Sequence, residues 1–375
     1  MNLKDEFFKW FHSNFVFTPL YSAMNNTSEA SKWHREDSVG VHTAMVVAEY
    51  IKFSPNEWNT DDLCGAIACA FHDTGKPAAR TEKHSEERGV YYSYPGHEQI
   101  SARLWEDWAV SNWITFEKFG LVPNDIYRIG WVIEHHLPYA TVKADKVGRM
   151  VETVVNMFGS NRIMSTVLLA DQFGRISDDM EYNRNKVVVW VDEFNKKCDE
   201  FMATNSTNDV GKKPTCTLLI GPSGCGKSTY TEVYQALYGP VQHYSWDDLR
   251  MQWYSPKTGD VKHDYSAAWA ASTEDKQFQQ KADAAFNSML SGEDVFVDNT
   301  NLTTKRRRFF VEAAHRKGYN VIGVLFPLAL STLKERQMGR DDKQVPMATV
   351  ESMYFSLQLP SNGEVDNVVV SEGNL

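Results

Sequence analysis

Apolar positions follow two regimes along the chain. In the first two hundred residues they recur at helical spacing: Val41, Ala44, Met45, Ala48 and Ile51 form one stripe, and Leu63, Ile67, Ala70 and Phe71 another. The same spacing predicts helices over 97–108, over 124–136 behind Pro123, over 161–173 and, closing the region, over 187–202. No alternating pattern interrupts them, so an all-helical domain is expected here. Beyond Pro214 short apolar runs at 216–220, 241–244, 295–297, 321–326 and 368–370 alternate with helical stretches. Strands separated by helices imply a parallel sheet with right-handed crossovers. The stretch between the regimes is polar, nearly free of core formers and ends in proline, as a linker does. The expected architecture is therefore multidomain, α followed by α/β: a helical domain over 1–203, a linker over 204–214, and a second domain over 215–375.

Between the 216–220 strand and a helix predicted over 230–238 lies Gly221-Pro222-Ser223-Gly224-Cys225-Gly226-Lys227-Ser228, followed by Thr229. A glycine-rich turn there brings backbone N–H groups close around a polyphosphate, at a helix N-terminus whose dipole favours anions. Gly221, Ser223, Gly224, Cys225, Gly226, Lys227, Ser228 and Thr229 are thus candidate contacts to ATP or another nucleoside triphosphate. Lys227 is expected to reach the β- and γ-phosphates, and Ser228 to place its hydroxyl on Mg2+.

Residues downstream say what receives the phosphoryl group. Asp247 follows the second strand, where it would face the phosphate loop across the active edge of the sheet and accept the proton of an attacking hydroxyl. Asp247 and Asp248 capping the next helix is the alternative. Asp298 ends the 295–297 strand, positioned to orient Mg2+ or an arginine, and Lys305-Arg306-Arg307-Arg308 follows as either a phosphate contact or a solvated helix face. Arg336 and Arg340, spaced i, i+4, suit a lid that neutralises charge on a transferring phosphoryl group.

The helical region carries a different chemistry. His42, His72-Asp73, His97, His135-His136 and Asp171 all fall on or beside predicted helices. Imidazole nitrogens and carboxylate oxygens together suit one or two divalent transition metals (Mn, Ni, Co, Zn or Fe) or Mg2+. Gly75 is expected to terminate the turn after His72-Asp73, and Lys76 to hold a substrate phosphate as a point charge. Trp33-His34-Arg35-Glu36 is either pocket lining or polar loop, and His84 sits among charged residues as a solvated loop position.

The charge balance narrows the partners. A net charge of -10 argues against a protein that coats nucleic acid through phosphate contacts alone. Five scattered cysteines suit a reduced, cytoplasmic chain, and the absence of any run of about 18 apolar residues argues against a membrane span.

The order His42, His72-Asp73, His97, His135-His136, Asp171 resembles the HD phosphohydrolase superfamily over roughly residues 30–175. Gly96-His97-Glu98-Gln99-Ile100-Ser101-Ala102 and Glu134-His135-His136-Leu137-Pro138 are similar to the HD domains attached to bacterial tRNA nucleotidyltransferases. That resemblance implies hydrolysis of phosphomonoesters or 2′,3′-cyclic phosphates, with His42, His72, Asp73 and Asp171 on one metal. The second domain resembles phage-type 5′-hydroxyl polynucleotide kinases, which implies Asp247 as general base, Arg250 on the acceptor's 3′-phosphate, and Arg336 and Arg340 in the lid. An extra residue, Asn299, precedes Thr300-Asn301-Leu302 relative to that pattern. Together the halves resemble bifunctional proteins that heal broken RNA ends, which implies RNA, or DNA, ends as substrates, a separate RNA ligase, no membrane partner, and oligomerisation as an open state. A nucleotidase fused to a small-molecule kinase, and an ATP-sensing regulator, are the competing readings.

Overall fold

The computed structural model describes residues 2–29, 34–85, 89–137, 144–204, 213–340, 343 and 345–375. The chain forms two compact units, Met1–Asn208 and Asp209–Leu375. Most of the expected linker, 205–212, lies outside the described residues, as do Trp33 and Pro138.

The first unit is built of α1 (Leu3–Ser13), α2 (Pro19–Asn25), α3 (Val39–Phe53), α4 (Thr60–Phe71), α5 (Lys76–Ala79), α6 (His97–Ser111), α7 (Trp113–Lys118), α8 (Pro123–Glu134), α9 (Ala144–Phe158), α10 (Arg162–Phe173) and α11 (Met180–Thr204). Helix α4 is the axis. Every residue from Asp62 to Phe71 is buried, as expected of a helix that is apolar all round, and Asn59 and Asp62 form a capping box that fixes its start. Helices α3, α8 and α10 pack around it.

Two local expectations change. Helix α3 buries His42, Thr43, Val46, Val47 and Tyr50 while Val41 is exposed, so its inner face is not the Val41–Ile51 stripe. Apolar counting overlooks that face because two of its members are polar. The region also contains an antiparallel hairpin, β1 (Thr81–Ser85) with β2 (Gly89–Ser93), in register from Thr81↔Ser93 to Ser85↔Gly89. Residues 81–84 are exposed and lack apolar alternation, so backbone pairing rather than a buried face makes this strand. His84 lies on it, exposed and paired with Glu82 at 3.0 Å, and is solvated but not in a loop.

The second unit is a five-stranded parallel sheet in the order β4-β5-β3-β6-β7. Its strands are β3 (Thr215–Ile220), β4 (Gln242–Tyr244), β5 (Val295–Val297), β6 (Asn320–Leu325) and β7 (Asn367–Val370), connected through α12 (Lys227–Tyr238), α13 (Trp246–Tyr254), α14 (Val261–Glu274), α15 (Phe278–Met289), α16 (Thr304–Arg316), α17 (Leu330–Met338) and α18 (Met347–Phe355). Each predicted apolar run is a strand, shifted by a residue or so at its ends. Strand β3 is central, with β5 and β4 on one side and β6 and β7 on the other. The carboxyl ends beside β3 therefore form the crevice where open α/β sheets bind ligands. One face of the sheet packs Leu219, Phe296 and Val324 with Leu333, Val350 and Tyr354.

All five cysteines are buried and none is in a disulfide. Among the described residues no helix is long and apolar enough to cross a membrane.

Two candidate active sites

Helix ends of the first unit converge on one buried carboxylate. Asp73, just past α4, is 1% exposed; its Oδ2 lies 3.0 Å from His72 Nε2 and 3.6 Å from His42 Nε2, and its Oδ1 lies 3.2 Å from His97 Nε2 and 3.7 Å from His136 Nε2. Asp171, from α10, approaches His42 Nε2 at 3.1 Å and His72 Nε2 at 3.8 Å, and is held by Arg175 at 3.0 Å. Burial alone would raise both carboxyl pKa values. For Asp73 the charges of His72 and Lys76 and the close approach of the His72 and His97 rings outweigh it; for Asp171 Arg175 and His42 do, and both groups stay well below the usual carboxylate range.

The imidazoles are aimed by their own backbone. His72, His97 and His136 each donate Nδ1–H to the carbonyl three residues earlier, on Cys69, Tyr94 and Ile133, at 2.8, 2.8 and 2.7 Å. Their Nε2 atoms are thereby directed at the space around Asp73. This is the arrangement that orients histidine ligands on a metal. Asp73 Oδ1 and His97 Nε2 are buried without a well-formed hydrogen bond, so the donor set fits a divalent cation: His42, His72 and Asp73 form one group, and Asp73, His97 and His136 a second. Burial holds the His136 pKa down at about 3, keeping that donor neutral.

His135 is not among these donors. Its ring stacks on Trp131 with centroids 4.0 Å apart and its Nδ1 is bonded to Trp131 O, because the residue before His136 projects from a different side of the helix end. Lys76 is also placed differently from the expectation of a substrate-facing charge: it is 5% exposed, its ammonium held by Glu29 at 2.5 Å and Asp73 at 2.8 Å. Gly75 does not end the turn in a left-handed conformation, since its φ is -81°. Its value is close approach: a Cβ there would sit 2.4 Å from His97 O and 2.8 Å from Ser101 N, where α6 crosses the turn.

The outer wall includes His34 and Glu36, from the stretch expected as pocket lining or polar loop. His34 Nδ1 lies 3.6 Å from Glu29 and 3.4 Å from Glu36, and His42 Nδ1 faces Glu36 at 3.6 Å. Burial would lower the His42 pKa, but hydrogen bonds to Asp171 and Glu36 and the charge of Asp73 lift it to about 9. The stretch around His34 stands out by its residue types, whereas its partner Glu29 carries no periodic signal.

In the second unit the phosphate loop joins β3 to α12. Gly224 and Gly226 hold φ values of +89° and +104°, the left-handed region in which glycine is favoured. Lys227 Nζ donates to Gly221 O at 3.0 Å and Pro222 O at 2.8 Å, which folds the ammonium across the mouth of the loop. Ser228 Oγ donates to Asp298 Oδ2 at 2.9 Å. Asp298 meets Ser228 and His243, whose Nε2 is 3.4 Å away, rather than an arginine, so the strand-end carboxylate sits beside the hydroxyl that follows Lys227 of the phosphate loop. The additional residue, Asn299, ties the end of β5 to the start of α13, its Oδ1 accepting the N–H of Trp246 at 3.0 Å.

Helix α13 is capped by Ser245, whose Oγ accepts from Asp248 N, so Asp247 is left with its carboxylate for other partners. Its Oδ1 accepts from Arg250 at 2.9 Å and from the Tyr265 hydroxyl at 3.2 Å, and its Oδ2 lies 3.6 Å from Lys343. Arg250 is framed by rings, its guanidinium carbon 4.1 Å from the Trp269 centroid, 5.0 Å from Phe278 and 5.6 Å from Trp246. Arg336 and Arg340 both line the cleft but do not share a helical face: α17 ends at Met338, Arg336 bonds Asn374 at 3.0 Å, and Arg340 reaches Ser223 Oγ at 3.4 Å. The loop, Asp247, Asp298 and these arginines surround one cleft of about 2100 Å3.

The basic run divides. Lys305 and Arg306 line that cleft, whereas Arg307 has 0% side-chain exposure and is clasped by Glu364 at 2.6 Å. Its other bonds run to the carbonyls of Asn301 and Gln358, both at 2.9 Å.

A family model described as an AAA domain matches residues 217–360. A multifunctional CCA protein of Psychromonas ingrahamii is 30% identical over 119 residues, which cover 32% of this chain and 24% of that protein, so the chain spans about a quarter of the length of the curated relative it matches. The second unit is a P-loop, kinase-like nucleotide-binding domain, which implies ATP and Mg2+ as its ligands.

Proposed function

We propose that the chain heals broken RNA ends: the P-loop unit transfers the γ-phosphate of ATP to a 5′-hydroxyl end, and the helical unit removes a 2′,3′-cyclic or terminal 2′- or 3′-phosphate. The observation that carries the reading is the pairing of Asp247 with Arg250 opposite the phosphate loop. A carboxylate at that edge accepts the proton of an incoming hydroxyl, and a guanidinium beside it suits the phosphate that follows the first nucleoside of an acceptor strand. A nucleoside acceptor has no such phosphate. Lys227, Arg336 and Arg340 would face the charge of the transferring group, and Ser228 with Asp298 would hold Mg2+.

In the helical unit His42, His72, Asp73 and Asp171 would hold one divalent ion, and His97 and His136 with Asp73 a second. Such an ion supplies Lewis acidity and a water of lowered pKa. The protein's own part is to keep His136 neutral and Asp73 and Asp171 ionised, to exclude bulk water around Asp73, and to hold Lys76 within that wall. The resemblance of the stretches around His97 and His135-His136 to the HD domains of tRNA nucleotidyltransferases supports a nucleic-acid end as the object. Buried cysteines outside any disulfide support a cytoplasmic setting, with a separate ligase to seal the healed ends.

The test uses one RNA break carrying a 5′-hydroxyl and a 2′,3′-cyclic phosphate, with ATP and a panel of divalent metals. Lys227→Ala and Asp247→Ala should abolish phosphorylation and spare phosphate removal, while Asp73→Ala should do the reverse. Preference for free nucleosides over the oligonucleotide, or one substitution silencing both reactions in a folded protein, overturns the reading.

A further inference from the structure

Helix α14 turns an unusual face to the cleft. Lys262, Tyr265, Ser266 and Trp269, which share one side of the helix at spacings of three and four, all line it. Trp269 is 47% exposed, although an indole normally buries most of its surface. It is 6.3 Å from Tyr265, whose hydroxyl donates to Asp247, and one of its faces meets the Arg250 guanidinium at 4.1 Å. The same side of one helix therefore carries a contact to the proposed base and, four residues or about 6 Å further along, a large exposed ring.

We propose that Trp269 is a stacking platform for a nucleobase at the 5′ end of the acceptor strand. The inference rests on the polynucleotide-kinase reading and names what that site grips besides phosphate. With the attacking hydroxyl at Asp247 and the following phosphate at Arg250, the bases of the first two nucleosides come within reach of the indole. Stacking on an aromatic face is available to every base, so the platform adds affinity without demanding a sequence, and purines, with the larger face, should bind better than pyrimidines. It also explains why Arg250 sits in an aromatic frame: the frame fixes the guanidinium for phosphate while its outermost member serves the base.

The test compares the full chain with Trp269→Ala and Trp269→Phe on two 5′-hydroxyl oligoribonucleotides, one intact and one lacking the bases of its first two nucleosides. Trp269→Ala should raise KM for the intact acceptor roughly 5- to 150-fold, with kcat and the KM for ATP unchanged, and Trp269→Phe should recover most of the loss. On the abasic acceptor Trp269→Ala should lose several-fold less than on the intact one, the remainder reporting its contact with Arg250. An equal penalty on both acceptors means that Trp269 only positions Arg250 and overturns the proposal, as does an unchanged KM. If the wild-type chain phosphorylates neither oligonucleotide, the kinase reading itself fails, a result distinct from the other two.

Discussion

Replacing Arg307 with alanine separates two roles that its neighbours in sequence would suggest are one. Arg306 and Arg308 are exposed, but the Arg307 side chain is fully buried, bound by both oxygens of Glu364 at 2.6 and 3.0 Å and donating to the carbonyls of Asn301 and Gln358. Asn301 in turn holds a φ of +48° and donates from its amide to Leu219 O at 2.9 Å and Val297 O at 3.1 Å, joining the ends of β3 and β5. Arg307→Ala leaves Glu364, 7% exposed in its side chain, charged and without its guanidinium. Removing one partner of such a pair costs about 3–5 kcal/mol. For a domain of this size each kcal/mol moves the melting temperature by about 2–4 °C, so the second unit should melt about 6–20 °C lower. Thermal unfolding of the full chain with and without Mg2+ and ATP identifies the relevant transition as the one the nucleotide raises. Arg307→Met with Glu364→Leu should recover part of the loss, the remainder coming from the two unpaired carbonyls. A shift below about 1 °C for Arg307→Ala, with weaker acceptor binding instead, would refute the structural role. Arg306→Ala should behave in that second way, because its side chain borders the cleft 6.0 Å from the Trp246 ring.

Three further outcomes test other parts of the molecule. Gly75→Ala forces α6 away from the Asp73 turn and should cost about 1–3 kcal/mol of stability, read from chemical denaturation; an unchanged midpoint would show that the crossing has slack. His136→Ala should lower the metal content of the purified protein measured by mass spectrometry, while His135→Ala should leave it unchanged; the opposite ranking would reverse the assignment of donors. Hydrogen bonds to Asp248 and then Asp298 raise the His243 pKa to about 9, so its stabilising contribution is complete below its unfolded value of about 6.5 and is lost as pH rises through about 9. The melting-temperature difference between the wild type and His243→Gln, in chelator, should therefore shrink across that window, and a constant difference would remove the linkage.

How much is legible in the sequence follows from how local each signal is. The phosphate loop is eight consecutive residues whose chemistry depends on their own backbone, and the five strands are short apolar runs, so both read directly from the chain. The donors around Asp73 are legible as residue types, because buried histidines and carboxylates on helices are costly unless they bind something. Their selection is not. Which of His135 and His136 faces inward depends on how α8 is rotated, and the rotation is set by packing on α4 and α6. A rotation of the same kind hides the inner face of α3. Arg340, beyond the end of α17, and Lys343, which meets Asp247, require knowledge of where a helix stops. Glu364 lies 57 positions from Arg307, a distance over which no periodicity speaks.

The anchoring of three imidazoles to main-chain carbonyls has a consequence for mutational tolerance. A side chain that orients a histidine is a second position at which a substitution can disable the site, but a peptide carbonyl is present whatever residue carries it. For His72 and His136 the orienting atoms belong to Cys69 and Ile133, so changes at those positions reach the donors only through packing. His42 differs, since its Nδ1 faces a carboxylate, that of Glu36. The cluster thus presents a smaller target to substitution than its number of contacts suggests, and its vulnerable flank is the histidine whose aim depends on another side chain.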